Sequence, residues 1–131
     1  MTTPHRRLGL ARIRLVRVRG PIGRLRGLLC RARPPGPRTG LWLSPCFAIH
    51  TLGMRYGIDV AFIDTEGRVL RLARNLRPGR MALCLRAKSV IELAVNAGDT
   101  PLRYRRRLHV ALRHAHRTAS QPCGRRVQAP K

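Results

Sequence analysis

Negative charge is what this 131-residue chain has least of: five carboxylates, Asp59, Asp64, Glu66, Glu92 and Asp99, stand against 28 lysines and arginines. All five lie between residues 45 and 100, where eight basic residues leave a net charge of +3. Residues 1–44 carry eleven arginines and no acid, and residues 101–131 carry nine basic residues and no acid. A nearly balanced middle between two cationic flanks places the folded domain in the middle. Aromatic residues are also scarce. Phe47, Phe62, Trp42, Tyr56 and Tyr104 do not interleave with the arginines, which disfavours a base-stacking platform for specific single-strand recognition. The four cysteines, Cys30, Cys46, Cys84 and Cys123, form no CxxC pair and no zinc-finger spacing, so they do not read as a disulfide scaffold. No apolar run reaches the roughly 18 to 20 residues that span a bilayer, and the basic N-terminus lacks a signal-peptide core. The expectation is a soluble, cytoplasmic protein.

What the chain has in abundance is arginine, 26 of its 28 basic residues, together with Leu, Ala, Gly and Pro. GC-rich coding accounts for part of that excess. The rest suits an anionic partner, nucleic acid or a lipid surface, held non-specifically through the flanks.

The apolar pattern is that of short strands. Arg12 to Arg19, RIRLVRVR, nearly alternates and reads as a first strand. Pro21 then suits a first helical position, with Ile22, Leu25 and Leu29 on one helix face. The Pro- and Gly-rich stretch 31–40 is a loop. Strands follow at Leu41–Leu43, Phe47–Thr51, Ile58–Ile63, Val69–Leu72, Ala82–Leu85 and Val90–Leu93. Asp64, Thr65, Glu66 and Gly67 join two of them in a hairpin whose Gly takes positive φ. Beyond Asp99, Thr100 and Pro101 suit a cap and first helical residue. Tyr104, Leu108, Ala111, Leu112 and Ala115 then repeat at helical spacing, with Arg103, Arg106, Arg107, Arg113 and Arg117 as a basic face. The fold class expected is mostly β with minor α: a small antiparallel β-sandwich or barrel-like single domain with one or two short helices. Residues 1–11 read as a basic flexible N-terminus, 12–99 as the β-rich domain, and 100–131 as a basic helix and disordered tail.

From about Leu15 to Leu93 the chain resembles the family called domain of unknown function 192. The resemblance rests on motifs in order: Arg26-Gly27-Leu28-Leu29, Gly40-Leu41-Trp42-Leu43, Pro45-Cys46, His50-Thr51, Gly53-Met54, Ile58-Asp59-Val60, Phe62-Ile63-Asp64 and Gly67-Arg68-Val69-Leu70. Pro78, Arg80, Cys84, Ala87 and the Val90–Leu93 strand follow. Two departures stand out: Cys30 replaces a customary Gly, and AVNAGD follows Glu92 and Leu93 where relatives carry a longer run. The resemblance implies a small, mostly β domain and no established activity, substrate or cofactor.

Six residues make up the candidate pocket: Cys46, His50, Thr51, Asp59, Cys84 and Glu92. Cys46, His50 and Cys84 are the soft-metal or thiol candidates. Cys46 and His50 on one extended strand are separated by about 13 Å, too far for a simple metal clip or a Cys–His couple. Small packing residues are the competing reading for both cysteines. Asp59 sits in an apolar strand, so its carboxylate needs a partner from Arg55, Lys88, His50 or backbone N–H groups, and would anchor the HTLGM turn. The leading expectation is a binding or accessory module with no assigned catalytic residue, cofactor or metal. Its alternatives are a nucleic-acid or anionic-surface binder using the Arg-rich flanks, and a thiol- or metal-dependent enzyme using His50 with Cys46 or Cys84.

Overall fold

The computed structural model describes residues 12–18 and 36–120. The expected helix from Pro21, Cys30, Cys123 and both terminal segments lie outside the described residues.

Among the described residues seven strands and one helix follow in chain order: β1 (Arg14–Val18), β2 (Thr39–Leu43), β3 (Ala48–His50), β4 (Ile58–Ile63), β5 (Val69–Leu76), β6 (Met81–Leu83), β7 (Ser89–Ala94) and α1 (Pro101–Ser120). Five strands form one sheet in the order β1-β2-β7-β4-β5, and β3 pairs with β6 in a second, two-stranded sheet. The main sheet does not close into a barrel. It is also not wholly antiparallel, because β1 runs parallel to β2, Arg14 opposite Thr39 through Val18 opposite Leu43. A parallel neighbour cannot be reached by a tight turn, and local pattern does not reveal which strand it will join.

The central strands are covered on both sides, which is why IDVAFI and SVIELA read as nearly continuous apolar runs rather than alternating ones. Alternation still decides which residue goes where. Ile58, Val60, Phe62, Val90, Leu41 and Leu43 point toward the small sheet and pack with Ile49, Met54, Ala82 and Ala87. Ala61, Ile63, Ile91, Leu93, Trp42 and Ile13 point to the opposite side, where Tyr104, Leu108, Ala111 and Leu112 of α1 meet them. The molecule therefore has three layers: small sheet, large sheet, helix. The chain passes from the large sheet to the small one through a cis Ser44–Pro45 peptide.

The hairpin between β4 and β5 forms as its sequence predicts. Gly67 has φ of 79°, the Asp64 carboxylate accepts the N–H groups of Glu66 and Arg68, and the Arg68 guanidinium pairs with both Asp64 and Glu66. These donors, the Arg68 N–H foremost, hold the Asp64 carboxyl below its usual range.

Helix α1 is longer than the short helices expected, at twenty residues. Thr100 caps it, its Oγ1 accepting the Arg103 N–H at 3.3 Å. Its buried residues are Tyr104, Leu108, Ala111 and Leu112, with Ala115 packed beside them, the stripe read from the period. Fully burying a side chain such as Leu108 or Leu112 stabilises by about 1.5–3 kcal/mol, so the helix is docked through its whole first half and more.

Candidate functional site

The six pocket candidates divide between the two sides of the large sheet. Asp59 points toward the helix. It is completely buried, and it accepts the Asn75 N–H at 2.8 Å on one oxygen and the Asn96 N–H at 2.9 Å on the other. The Tyr104 hydroxyl donates to the same carboxylate. Burial first, and then the neighbouring Asp59 charge and hydrogen bond, push the Tyr104 hydroxyl well above its usual range, so it remains the donor.

This arrangement depends on an irregularity in the strand pairing. Ile58 pairs with Leu76 but Val60 pairs with Ala73, so β5 bulges opposite Asp59. Asn75 sits in that bulge with φ of 51°, a conformation that Asn adopts more readily than most residues. A β-carbon at Gly57 would lie 2.6 Å from the Asn75 side-chain oxygen, so a larger residue there would have to displace the Asn75 side chain. Asn96 extends the network: its amide donates to Asp99, and its own oxygen accepts the Gly98 and Asp99 N–H groups. Arg103 and Arg107 then pair with Asp99. Burial opposes ionisation of Asp99, but Arg107, Asn96 and Arg103 outweigh it and hold the carboxyl below its usual range. A continuous polar path thus runs from the centre of the sheet to the first turns of α1.

The expected anchor of the HTLGM turn is replaced by another residue. Thr51, fully buried, donates its hydroxyl to the Arg77 carbonyl at 2.6 Å and accepts the Arg80 N–H at 2.9 Å. Its backbone N–H reaches the Arg80 carbonyl, and its own carbonyl accepts from Met54 and Gly79. Of the partners expected for Asp59, backbone N–H groups are the ones found, those of Asn75 and Asn96, joined by Tyr104.

Glu92 lies directly opposite Val60 and Leu41 in the pairing, and therefore faces the small sheet, away from Asp59. It is 5 % exposed. His50 is exposed in β3, opposite Met81. Cys46 and Cys84 are partly buried, pack against the cluster on the small-sheet side and are not joined by a disulfide. The Cys46 thiol donates to the Ala48 carbonyl at 3.2 Å. Among the described residues, no three His, Cys, Asp or Glu side chains gather closely enough to hold a metal ion.

What concentrates instead is positive charge along the outside of α1. Arg106, His109, Arg113 and Arg117 are exposed at i, i+3, i+7 and i+11, one face of a helix spanning about 16 Å from end to end. Arg12 reaches the flank of that face, 3.3 Å from the His114 ring. Arg17 lies over Trp42 at 4.6 Å, beside His116, whose ring meets the indole edge-on. All five carboxylates of the chain are placed, and none pairs with this outer row: four have the partners described above and Glu92 is on the far side of the sheet. Of the basic face expected from spacing, Arg106, Arg113 and Arg117 lie in this row, while Arg103 and Arg107 are engaged by Asp99.

The order of elements and motifs agrees with a match to DUF192, an uncharacterized family, over residues 5–100. The chain belongs to the DUF192 family. Helix α1 begins where the match ends. Two solved structures share the fold: a protein of unknown function from Novosphingobium aromaticivorans, 19 % identical, TM-score 0.57, and a "putative transcription regulator" from Sinorhizobium meliloti, 18 % identical, TM-score 0.55. The alignments cover 64 % and 62 % of this chain, and 64 % and 67 % of the other; the chain thus spans about two thirds of each. No curated protein matches the chain. Among the described residues, no helix is long and apolar enough to cross a membrane.

Proposed function

We propose that this DUF192 protein is a non-catalytic nucleic-acid-binding module whose contact surface is the outer face of helix α1. The observation that carries the reading is the un-neutralised row Arg106, Arg113 and Arg117 on a helix fixed to the sheet. A guanidinium row needs fixed phosphates at intervals of a few ångströms, which a polynucleotide backbone supplies. Helix docking also argues against a lipid surface. An interfacial helix inserts its apolar face among acyl chains, whereas here Tyr104, Leu108, Ala111 and Leu112 are already buried against the sheet. Scarce aromatics make the binding backbone-directed and insensitive to sequence. The Sinorhizobium protein's description as a transcription regulator points the same way, although likeness at that identity speaks to fold alone.

The test is fluorescence anisotropy of the purified full chain with duplex DNA and duplex RNA over a salt series. Affinity falls steeply with salt, and exchanging Arg106, Arg113 and Arg117 together for Gln flattens the logarithmic salt slope by about 2 to 3 while leaving the melting temperature nearly unchanged. If the triple variant binds as the parent does, helix α1 is not the contact surface. Binding to anionic vesicles with no binding to nucleic acid would instead make the partner a lipid surface.

A further inference from the structure

A groove of about 520 Å³ lies between the first half of α1 and the start of β1. That volume is in the range of sites that take small organic ligands, and its lining combines two chemistries. Ile13, 3 % exposed, forms part of the wall, and Leu102 and Val110 border it at 70 % and 48 % exposed. Four arginines, Arg12, Arg103, Arg106 and Arg107, complete the lining, the Arg12 guanidinium reaching on to the His114 ring. One carboxylate, Asp99, serves Arg103 and Arg107; none serves Arg12 or Arg106. Leu102, Arg106 and Val110 follow at i, i+4 and i+8, an apolar, cationic, apolar row about 12 Å long on one side of the helix.

We infer that this groove binds a small amphiphilic anion, a medium-chain carboxylate or phosphomonoester, with its head at Arg106 and its chain along the apolar wall. Charge alone would not select such a ligand, because the outer row of α1 offers charge without a wall. The apolar wall alone would not select it either, because an arginine without an acidic partner repels a cation and rewards an anion. The inference does not depend on nucleic-acid binding, since it needs Ile13, Leu102 and Val110, which the outer arginine row does not include.

Isothermal titration of the full chain with decanoate tests it, with inorganic phosphate, decanol and anionic phospholipid vesicles as the comparison probes. The expected result is saturable one-to-one binding of decanoate, with phosphate and decanol each weaker by about tenfold or more. Leu102→Asn with Val110→Asn, two exposed positions where the change adds no charge beside Arg106, weakens decanoate by about tenfold while the fold and DNA binding of the variant persist. Arg113→Gln with Arg117→Gln leaves decanoate binding unchanged. Absence of saturable binding, phosphate binding as tightly as decanoate, binding to vesicles alone, or an unaffected Leu102/Val110 variant would each overturn the site. Arg106 is shared by both surfaces, so the two readings are separated by the Arg113→Gln, Arg117→Gln variant, which weakens DNA binding while sparing decanoate, and by the Leu102/Val110 variant, which does the reverse.

Discussion

Under helix α1 a carboxylate, Asp59, ties together the backbone of β5, the exit of β7 and the Tyr104 hydroxyl, whereas on the opposite face the task of fixing a connection falls to the Thr51 hydroxyl. Both residues are fully buried, and both bind main-chain groups that no ladder satisfies. The difference is the number of acceptor atoms. A hydroxyl closes one loop; the two oxygens of a carboxylate accept several donors at once, and so can join three elements. The cationic helix is seated over the carboxylate, and the small sheet is seated over the hydroxyl. Of the side chains that resemble a catalytic set in the sequence, Thr51 and Asp59 are fully buried and hydrogen-bonded to main-chain groups.

The comparison is broken most severely at Asp59. Replacing Asp59 with Ala leaves two buried N–H groups and the Tyr104 hydroxyl without their acceptor, and each hydrogen bond to a charged group is worth about 1.5–3 kcal/mol. The expected loss is roughly 4 kcal/mol or more, read from denaturant unfolding, and the signal of α1 should be lost along with that of the sheet. A loss below about 1 kcal/mol would mean that water replaces the carboxylate, and that Asp59 does not position the helix. On the other face, Thr51→Val keeps the shape and removes one donor and one acceptor. About 1–3 kcal/mol is expected, with α1 and its nucleic-acid affinity unchanged. If Thr51→Val weakened DNA binding as much as it weakened the fold, the two faces would be coupled and the comparison would fail.

Much of this architecture can be read in the chain. Ile58–Ile63 has the predicted bounds because Pro-free, β-branched sequence ends at an Asp-Thr-Glu-Gly turn, and the α1 stripe follows from its period. Parity is harder to read. Asp59 and Glu92 look alike as lone acids in apolar strands, but Val60 pairs with Glu92, so the two carboxylates point to opposite sides of the sheet. No local pattern contains that register. Asn75 and Asn96 lie 16 and 37 residues from Asp59 in sequence, and only the bulge in β5 and the end of β7 bring them to it. Asp59 is separated from Glu92 for this reason: residue type does not assign a face, and strand pairing does.

The finest test of the comparison is at the other end of the polar path, where Asp99 meets the helix. Its carboxyl is held below the ordinary aspartate value of 3.8 by Arg107, Asn96 and Arg103 against the opposing effect of burial. A depressed folded pKa means that the stabilisation is present above the unfolded value and is lost as pH falls through the folded one. Asp99 therefore contributes fully near neutrality and loses its contribution as pH falls through and below the ordinary aspartate value of 3.8. Asp64, also depressed, acts in the same direction from the exposed hairpin. Asp99→Asn removes only the Asp99 share: it lowers stability at neutral pH, and its denaturant midpoint falls less on acidification than that of the parent, with the Asp64 contribution remaining. The helix should respond to this substitution first, by increased amide exchange in the turns carrying Arg103 and Arg107, while Thr51 and the small sheet stay protected. Parallel acid profiles for parent and variant would show that Asp99 is not held by those arginines in solution, and that the path from Asp59 ends at Asn96.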